Sequence, residues 1–260
     1  MGLNSGGAER AVRFACLLVV LVGFGLRVYR LGAQSLWYDE GFSVWLAWQP
    51  LPAITLGDFN PPLYYYLLHF WVSAAGTGEF AVRFPSAFFG VLTVAATFAL
   101  GSAVFGPTAG LFGAALAALS PFLIWYSQEA RMYALGVLLG VLASWLAWQG
   151  FNGRRTWVAY ALVVAAGAYT HYLTLLVPLG HAVFAAGRFV SPKGRPAVRA
   201  WLLAAAWAGL AYLPWLPVAD AHARLQTYWA GRPDLLRLFE DALARFVGGY
   251  SLEAEKALVF

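Results

Sequence analysis

Long apolar stretches alternate with short polar connections along most of the chain. A helix needs about 20 predominantly apolar residues to cross the hydrocarbon core of a bilayer. Stretches of roughly that length predict seven transmembrane helices, near residues 12–29, 84–104, 108–126, 132–149, 156–171, 172–187 and 198–217. The expected fold class is therefore all-α, a polytopic membrane protein of about seven transmembrane helices.

A further apolar stretch, residues 62–75, is short for a crossing. It begins with a proline and carries His69 in its middle, which favours a helix along the membrane surface. If this stretch does not cross and the N-terminus is cytoplasmic, the loops 150–155 and 188–197 are cytoplasmic. Both loops contain basic residues and no acidic ones, as the positive-inside rule requires. We therefore expect residues 31–82 to form a first outer loop with juxtamembrane helices.

The polar C-terminal part, residues 218–260, follows a transmembrane module that spans residues 1–217. Charged and apolar residues alternate in it, which predicts amphipathic helix at the start of a second outer loop. The sequence then stops without a terminating signal. We therefore expect that the chain is truncated and that further helices follow in the whole protein.

The composition supports a membrane environment. Only 11% of the 260 residues are charged and 61% are hydrophobic, whereas soluble domains carry about 25% charged residues. The net charge of +5 is explained by the basic loops, and no cluster of basic and aromatic residues suggests nucleic acid as a partner. The single cysteine, Cys16, excludes an intramolecular disulfide and a cysteine metal site.

Two adjacent acids, Asp39 and Glu40, follow an aromatic pair shortly after the first predicted helix. Neighbouring positions on a helix point in different directions, so one acid can act as a base while the other orients or binds a ligand. Desolvation in an aromatic-walled site raises a carboxyl pKa towards values useful for accepting a proton. The alternative is a solvated acidic turn that keeps the loop outside the membrane.

A helix start is indicated where Asp58 and Asn60 precede Pro61 and Pro62. Proline is tolerated in the first turn of a helix, and Asp and Asn side chains can cap the free backbone N–H groups there. Such a helix start is either simply capped or binds phosphate through the same N–H groups.

Two arginines, Arg83 and Arg131, lie near predicted outer ends of helices. Arginine at a membrane boundary commonly extends to the interface or pairs with a nearby acid, here Glu79 or Glu129. The positive-inside rule nevertheless disfavours basic residues on the outer face. Their presence there favours a specific role, such as bidentate binding of a lipid phosphate.

His171 lies between two tyrosines at an outer helix boundary. A histidine in this setting is more often an interfacial hydrogen-bonding group than a metal ligand. A metal ion would need further ligands from Asp39, Glu40 or Glu129. The sequence therefore leaves the question of a metal site open.

Together, four segments of the chain resemble the membrane glycosyltransferases of the GT-C superfamily. The nearest group is the bacterial family-39, protein mannosyltransferase-like enzymes, which include aminoarabinose transferases. The matching segments are an Asp-Glu pair, a polar residue before Pro-Pro-Leu, an Arg-Leu-Pro-Ser-like helix start and a Glu-Ala-Arg-Met-Tyr segment, at residues 39–40, 60–63, 83–86 and 129–133. The position before Pro-Pro is His or Lys in many members and Asn60 here, so more of the phosphate binding is expected of the arginines.

The resemblance implies a seven-helix core whose first outer loop carries juxtamembrane helices and the active site. It also implies a sugar donor on a polyprenyl phosphate and transfer, with inversion, to a hydroxyl group of a glycolipid, protein or polymer. The reaction would take place on the outer face of the cell membrane, among membrane lipids. No cofactor is required for it, and a divalent metal is compatible with it.

The resemblance also assigns expected roles to individual residues. Asp39 and Glu40 would be catalytic, with Asp39 as the general base. The donor phosphate would be bound by Arg83, Arg131 and Asn60. Further site candidates are Glu129, Tyr133 and His171.

Two other functions are compatible with a polytopic chain. A transporter or flippase of lipid-linked or small substrates would place charged residues in mid-membrane and often shows internal repeats. Here the charges cluster at helix ends on one face and no convincing repeat is present, which favours the glycosyltransferase. The other alternative is a membrane-anchoring fragment without activity.

Overall fold

The computed structural model describes residues 5–225 and 242–244, and every regular element in this part of the chain is helical. The α-helices are α1 (Ser5–Val28), α2 (Tyr38–Ala47), α3 (Leu51–Leu56), α4 (Leu63–Ala75), α5 (Glu79–Phe105), α6 (Pro107–Leu119), α7 (Pro121–Ser127), α8 (Tyr133–Phe151), α9 (Trp157–Ala168), α10 (Leu176–Phe189), α11 (Arg195–Tyr212) and α12 (Leu216–Leu225). Short 3₁₀ turns precede α10 and α12. The all-α fold class predicted from the sequence is confirmed.

Five segments within the described residues are long and apolar enough to cross a membrane: Arg10–Val28, Glu79–Phe105, Tyr133–Phe151, Tyr172–Phe189 and Arg195–His222. The pair α6 and α7 adds a sixth if it is counted as one span bent by 59°. The remaining predicted crossing corresponds to α9, whose 12 residues extend only about 18 Å at 1.5 Å per residue. The number of crossings, expected to be seven, therefore stays a prediction.

The bend between α6 and α7 is stabilised by a buried arginine of α1. The last carbonyl groups of a helix have no partners within it, and inside a membrane water cannot replace them. Arg27, which is fully buried, donates hydrogen bonds to the carbonyls of Ala117 (3.0 Å) and Ala118 (3.1 Å) at the end of α6. It also donates to the hydroxyl of Ser127 at the end of α7. These hydrogen bonds therefore hold the end of α7, and with it the start of the connection to α8, in a defined position.

The helices α2, α3 and α4 form a layer at one end of the bundle. Their apolar side chains pack with the start of α8 in one buried cluster that includes Leu46, Ile54, Leu68, Met132 and Leu135. At 13 residues, α4 is about 20 Å long and shorter than the hydrocarbon core. The structure thus agrees with short helices in the first loop.

The expected side-chain cap of α4 is absent. The helix begins at Leu63 with no side-chain hydrogen bond at its N-cap. The N–H of Leu63 instead donates to the carbonyl of Tyr169 at 3.0 Å. This bond joins the first loop to the turn that follows α9, so Asp58 and Asn60 are available for other contacts.

The two basic loops lie together at the opposite end of the bundle. Arg188, near the end of α10, donates to the carbonyl of Phe151 at the end of α8, at 2.6 Å. Since α8 runs from Tyr133 to Phe151, its N-terminus is at the end that carries α2–α4. Which end faces the cytoplasm stays a prediction.

The amphipathic tail is described only in part. Helix α12 covers its beginning. The charged residues on which the prediction of an amphipathic helix rested lie outside the described residues: Asp234, Arg237, Glu240, Asp241 and Arg245.

Candidate active site

The α7–α8 connection brings the polar residues of this end of the bundle together. Gln128 donates to three backbone carbonyls at the end of α1, at 3.0–3.3 Å. The N–H of Ala130 donates to Glu40 at 2.9 Å, and the carbonyl of Arg131 accepts from Ser86 at 3.1 Å. The connection is therefore anchored to α1, α2 and α5, and its side chains are held in place.

Glu40 and Arg83 form a buried, two-pronged ion pair. Arg83 donates from Nε to Oε1 of Glu40 at 2.7 Å and from Nη2 to Oε2 at 2.6 Å, and both side chains are buried. Its remaining N–H groups donate to backbone carbonyls of the loop between α1 and α2, namely those of Leu31, Gln34 and Ser35. An arginine has five N–H donors, so the guanidinium of Arg83 is fully used.

This arrangement bears on two expectations from the sequence, the catalytic role of Glu40 and the phosphate contact of Arg83, and both stay predictions. Arg83 has no N–H group left for a donor phosphate, because each one has a protein acceptor. Glu40 accepts from Arg83, from the N–H of Ala130 and from the N–H of Trp37, so its carboxylate is occupied as well. The pair holds α2 against α5 and the α7–α8 connection.

Asp39 is the acid that the ion pair leaves free. It lies in the first turn of α2 and is half-buried. Successive helical residues are rotated by about 100°, so Asp39 points away from the partners of Glu40. Its backbone carbonyl accepts from Ser43 one turn later, at 2.8 Å, while its carboxylate has no hydrogen bond to another described residue.

A second polar cluster joins α2, α4 and the α7–α8 connection. Arg131 donates from Nη1 to the hydroxyls of Tyr65 (3.1 Å) and Ser43 (3.3 Å). The hydroxyl of Tyr65 donates to Asp58, and the side-chain amide of Asn60 donates to the same carboxylate oxygen at 3.1 Å. Through Ser43, Arg131 lies on the same face of α2 as Asp39.

Arg131 keeps an unused hydrogen-bond donor although it is buried. Its side chain is only 6% exposed, and its Nε has no partner among the described residues. The guanidinium lies 5.9 Å from the ring centre of Tyr133. A buried cation with a spare N–H is suited to an anionic ligand.

His171 borders this cluster from the turn after α9. Its ring lies 5.9 Å from that of Tyr133, and its Nδ1 accepts from the N–H of Leu173 at 3.1 Å. Burial lowers the pKa of His171, and the charge of Arg131 lowers it further, while Asp58 acts in the opposite direction. A neutral imidazole next to Arg131 follows from this environment.

Glu129 carries a buried carboxylate oxygen without a partner. Its Oε1 accepts from the indole N–H of Trp125 at 2.6 Å, whereas its Oε2 is buried and has no partner in the described part of the chain. Burial raises the pKa of Glu129 to about 7; the charges of Glu40 and Asp39 also raise it, against the Trp125 hydrogen bond and Arg131. Both states of its carboxyl group are therefore populated near neutral pH.

Glu129 faces a cavity of about 850 Å³ between the end of α1 and the α7–α8 connection. Among its lining residues are Tyr29, Trp37, Trp125 and Tyr133. Tyr133, whose ring centre lies 5.9 Å from the guanidinium of Arg131, therefore borders both the cavity and this guanidinium. The volume is within the range of typical ligand pockets.

Arg131 is linked to Asn60 through Tyr65 and Asp58, and it lies close to Tyr133 and His171. Asp39 is one turn before Ser43 on α2, and Glu129 and Tyr133 line the cavity together with Glu40 and Arg83. Asp58 was not predicted as a site residue, because its position before two prolines indicated a cap. Tyr65 was not predicted either, because three tyrosines follow one another and the sequence does not show which hydroxyl faces the site.

No cluster of three or more His, Cys, Asp or Glu side chains within residues 5–225 and 242–244 is placed to hold a metal ion. Glu40, one of the three suggested partners of His171, is committed to Arg83. The described side chains therefore form no ready set of metal ligands, and the expectation that a divalent metal is compatible with the site stays a prediction.

Comparisons with known proteins identify the type of chain. A family model described as dolichyl-phosphate-mannose-protein mannosyltransferase matches residues 59–216. The fold is similar to a crystal structure of the Archaeoglobus fulgidus oligosaccharyltransferase in complex with Zn and sulfate, with a TM-score of 0.63 and 15% sequence identity. That match covers 94% of this chain and 38% of the other, so this chain spans well under half of its structural neighbour. Among curated proteins, no sequence matches this chain.

Proposed function

The chain belongs to the dolichyl-phosphate-mannose-protein mannosyltransferase family of membrane glycosyltransferases with the GT-C fold, and we propose that it transfers a sugar from a polyprenyl phosphate to an acceptor hydroxyl. The polar end of the bundle, with Asp39 and Arg131, is the proposed active site. Transfer takes place on the outer face of the membrane and inverts the anomeric centre. The acceptor is a glycolipid, protein or polymer.

In the proposed reaction, Asp39 accepts the proton of the acceptor hydroxyl. The hydroxyl oxygen attacks the anomeric carbon, and the bond between that carbon and the phosphate oxygen breaks. The lipid phosphate leaves with the bonding electrons, so one displacement inverts the anomeric configuration. Positioned acid–base catalysis of this kind contributes about 10²–10⁴-fold to the rate.

Arg131 is the proposed ligand of the departing phosphate. The observation that carries the proposal is its buried guanidinium, which has an unused Nε–H and lies on the same face of α2 as Asp39. Asp58 and Tyr65 orient Arg131 without neutralising it through a direct carboxylate contact, since the hydroxyl of Tyr65 stands between them. Donors fixed in advance at the position of a developing charge stabilise a transition state most effectively.

The Glu40–Arg83 pair serves this site indirectly. It connects α2 with α5 and with Ala130, and Ala130 is next to Arg131 in the chain. The register between Asp39 on α2 and Arg131 on the α7–α8 connection therefore depends on this pair.

A metal ion has no part in the proposed steps. The oligosaccharyltransferase of similar fold was crystallised with zinc, but the described residues of this chain supply no matching set of ligands. The proton and the phosphate charge are handled by Asp39 and Arg131 alone.

The test is an assay of the purified protein in bilayer nanodiscs with a panel of polyprenyl-phosphate sugars. We expect release of polyprenyl phosphate from at least one donor, and its loss in Asp39→Asn. Glu79→Gln is the matched control, because Glu79 is an exposed carboxylate at the start of α5. If no donor releases lipid phosphate but vesicles with the protein move lipid-linked sugars across the bilayer, the chain is a flippase instead.

The proposed location of the site is tested separately by cysteine labelling. Asn152→Cys and Ser191→Cys, each in a Cys16→Ser background, should resist impermeant thiol reagents in intact cells. Both positions lie in the basic loops, which are expected to be cytoplasmic. Labelling of both from outside would place the Asp39 end of the bundle in the cytoplasm.

A further inference from the structure

The cavity beside Glu129 has the features of a binding site that the proposed chemistry does not use. The proton transfer is assigned to Asp39 and the phosphate to Arg131, and neither side chain lines the cavity. Yet Glu129, which does line it, is nine-tenths buried with an unpartnered Oε2. A buried polar atom without a partner costs about 1–3 kcal/mol. That cost is removed when a ligand donates a hydrogen bond to it.

The aromatic residues around the cavity narrow the class of ligand. Tyr29, Trp37 and Trp125 are 70%, 47% and 49% exposed and line the same cavity. The faces of aromatic rings carry partial negative charge and attract the C–H groups on the less polar face of a sugar ring. A pocket that combines exposed rings with one hydrogen-bonding carboxyl group suits a polyhydroxylated ring.

The charges at the cavity argue against a phosphate as its occupant. Of the two arginines that line it, Arg83 has all its N–H groups bound to protein acceptors. The other, Arg30, is exposed. An anion deep in the cavity would face the carboxyl group of Glu129, whereas a neutral sugar would not be repelled.

We propose that this cavity binds a neutral sugar residue, whose hydroxyl group donates a hydrogen bond to Oε2 of Glu129 while its ring packs on Trp37. The inference rests on the proposed transferase function and adds to it a carbohydrate-binding site separate from the Arg131 contact. Tyr133 lines the cavity and lies beside Arg131, so a sugar in the cavity is close to the proposed phosphate position. The sugar is either part of the donor or part of a carbohydrate acceptor.

Binding is tested directly by saturation-transfer NMR of the purified protein with methyl glycosides of common neutral hexoses, without any donor. We expect a signal with the wild type, an affinity about tenfold lower in Glu129→Ala, as for a lost hydrogen bond to a charged group, and a smaller loss in Glu129→Gln. Trp37→Ala should lose the signal, because the ring that packs on the sugar is removed, and Trp37→Phe should keep it. Glu79→Gln is the control that should bind as the wild type does.

Kinetics in the transferase assay then distinguish the two sources of the sugar. A rise in the donor KM of Glu129→Gln with an unchanged acceptor KM assigns the cavity to the donor, and the reverse assigns it to the acceptor. Equal sugar binding and equal KM values in the wild type and in a folded Glu129→Ala variant would overturn the inference. The transferase proposal would survive that result if lipid phosphate were still released. Conversely, sugar binding that depends on Glu129 without any release would contradict only the transferase proposal.

Discussion

Arg83 and Arg131 are both buried cations at the same end of the helical bundle, but their hydrogen bonding differs completely. Arg83 makes a direct ion pair with Glu40 and uses every N–H group. Arg131 contacts hydroxyl groups, reaches Asp58 only through Tyr65, and keeps a buried Nε–H without a described partner. An arginine whose N–H groups all donate to protein acceptors stabilises the fold, whereas an arginine with an unused N–H group can still bind a ligand.

The same contrast separates the two adjacent acids of α2. The carboxylate of Glu40 is filled by protein donors, and that of Asp39 is not. The first turn of α2 thus supplies one carboxylate whose hydrogen bonds are satisfied by the protein, that of Glu40, and one that can still accept a hydrogen bond, that of Asp39. Variants of these four side chains and of Glu129 test whether the difference in hydrogen bonding is also a difference in function.

The largest effect is expected from Asp39→Asn, which keeps the size of the side chain but removes the proton acceptor. Turnover should fall by about 10²–10⁴-fold, the usual contribution of a positioned base, while the donor KM changes little. The measurement is steady-state release of polyprenyl phosphate from the donor that the wild type uses. Near-normal turnover would move the base to another carboxylate, with Glu129 as the first candidate.

Breaking the Glu40–Arg83 ion pair should lower the stability of the fold more than it changes the reaction. Arg83→Ala leaves Glu40 buried without its partner, which typically costs 3–5 kcal/mol (an order-of-magnitude figure), and we expect a lower thermal unfolding midpoint in detergent. The double variant Glu40→Gln/Arg83→Met removes both charges and should be less destabilised. The protein that remains folded should bind donor normally; a raised donor KM with unchanged stability would return a phosphate role to Arg83.

Arg131→Ala should weaken binding of the donor and have little effect on the stability of the fold. A hydrogen bond to a charged group is worth about 1.5–3 kcal/mol, so the donor KM should rise by roughly 10–100-fold. Arg131→Lys should restore only part of the affinity, because a single ammonium group cannot reproduce a planar two-pronged contact. A wild-type donor KM in a well-folded Arg131→Ala protein would refute the phosphate contact.

The smallest expected effect is a pH dependence of stability caused by Glu129. Burial raises its pKa from the ordinary value of 4.5 to about 7 in the folded protein, so between these pH values the native state holds a proton that the unfolded state releases. The contribution to stability is full below about pH 4.5 and is lost as the pH rises through about 7. Glu129→Gln cannot ionise, so its unfolding midpoint should fall less than that of the wild type between these values. An identical pH profile in both proteins would mean that Glu129 is ionised throughout.

Much of the architecture could be predicted from the sequence because the bilayer constrains it strongly. A spanning helix must be long and apolar, and the stretches that became α1, α5, α8 and α11 satisfy both conditions. The short stretch at residues 62–75 could be separated from them by its length and by the charges of the loops. The border between the predicted stretches 156–171 and 172–187 falls within the connection between α9 and α10.

The site was predictable as a set of segments and not as a set of roles. The short motifs around Asp39, Asn60, Arg83 and Arg131 do lie at one end of the bundle.

The number of crossings is not settled by α9, because a 12-residue apolar helix can end inside the membrane or belong to a longer bent span.

The sequence by itself determined that this is an all-helical membrane protein and which segments carry its polar chemistry, since hydrophobic length and residue type are local properties. Only the tertiary structure decided that Glu40 and Arg83 neutralise each other, that Tyr65 stands between Asp58 and Arg131, and that Glu129 faces a cavity. These outcomes depend on which donors meet which acceptors across distant helices. Two arginines of equal charge differ in what they can still bind, because one has all its hydrogen bonds satisfied and the other does not.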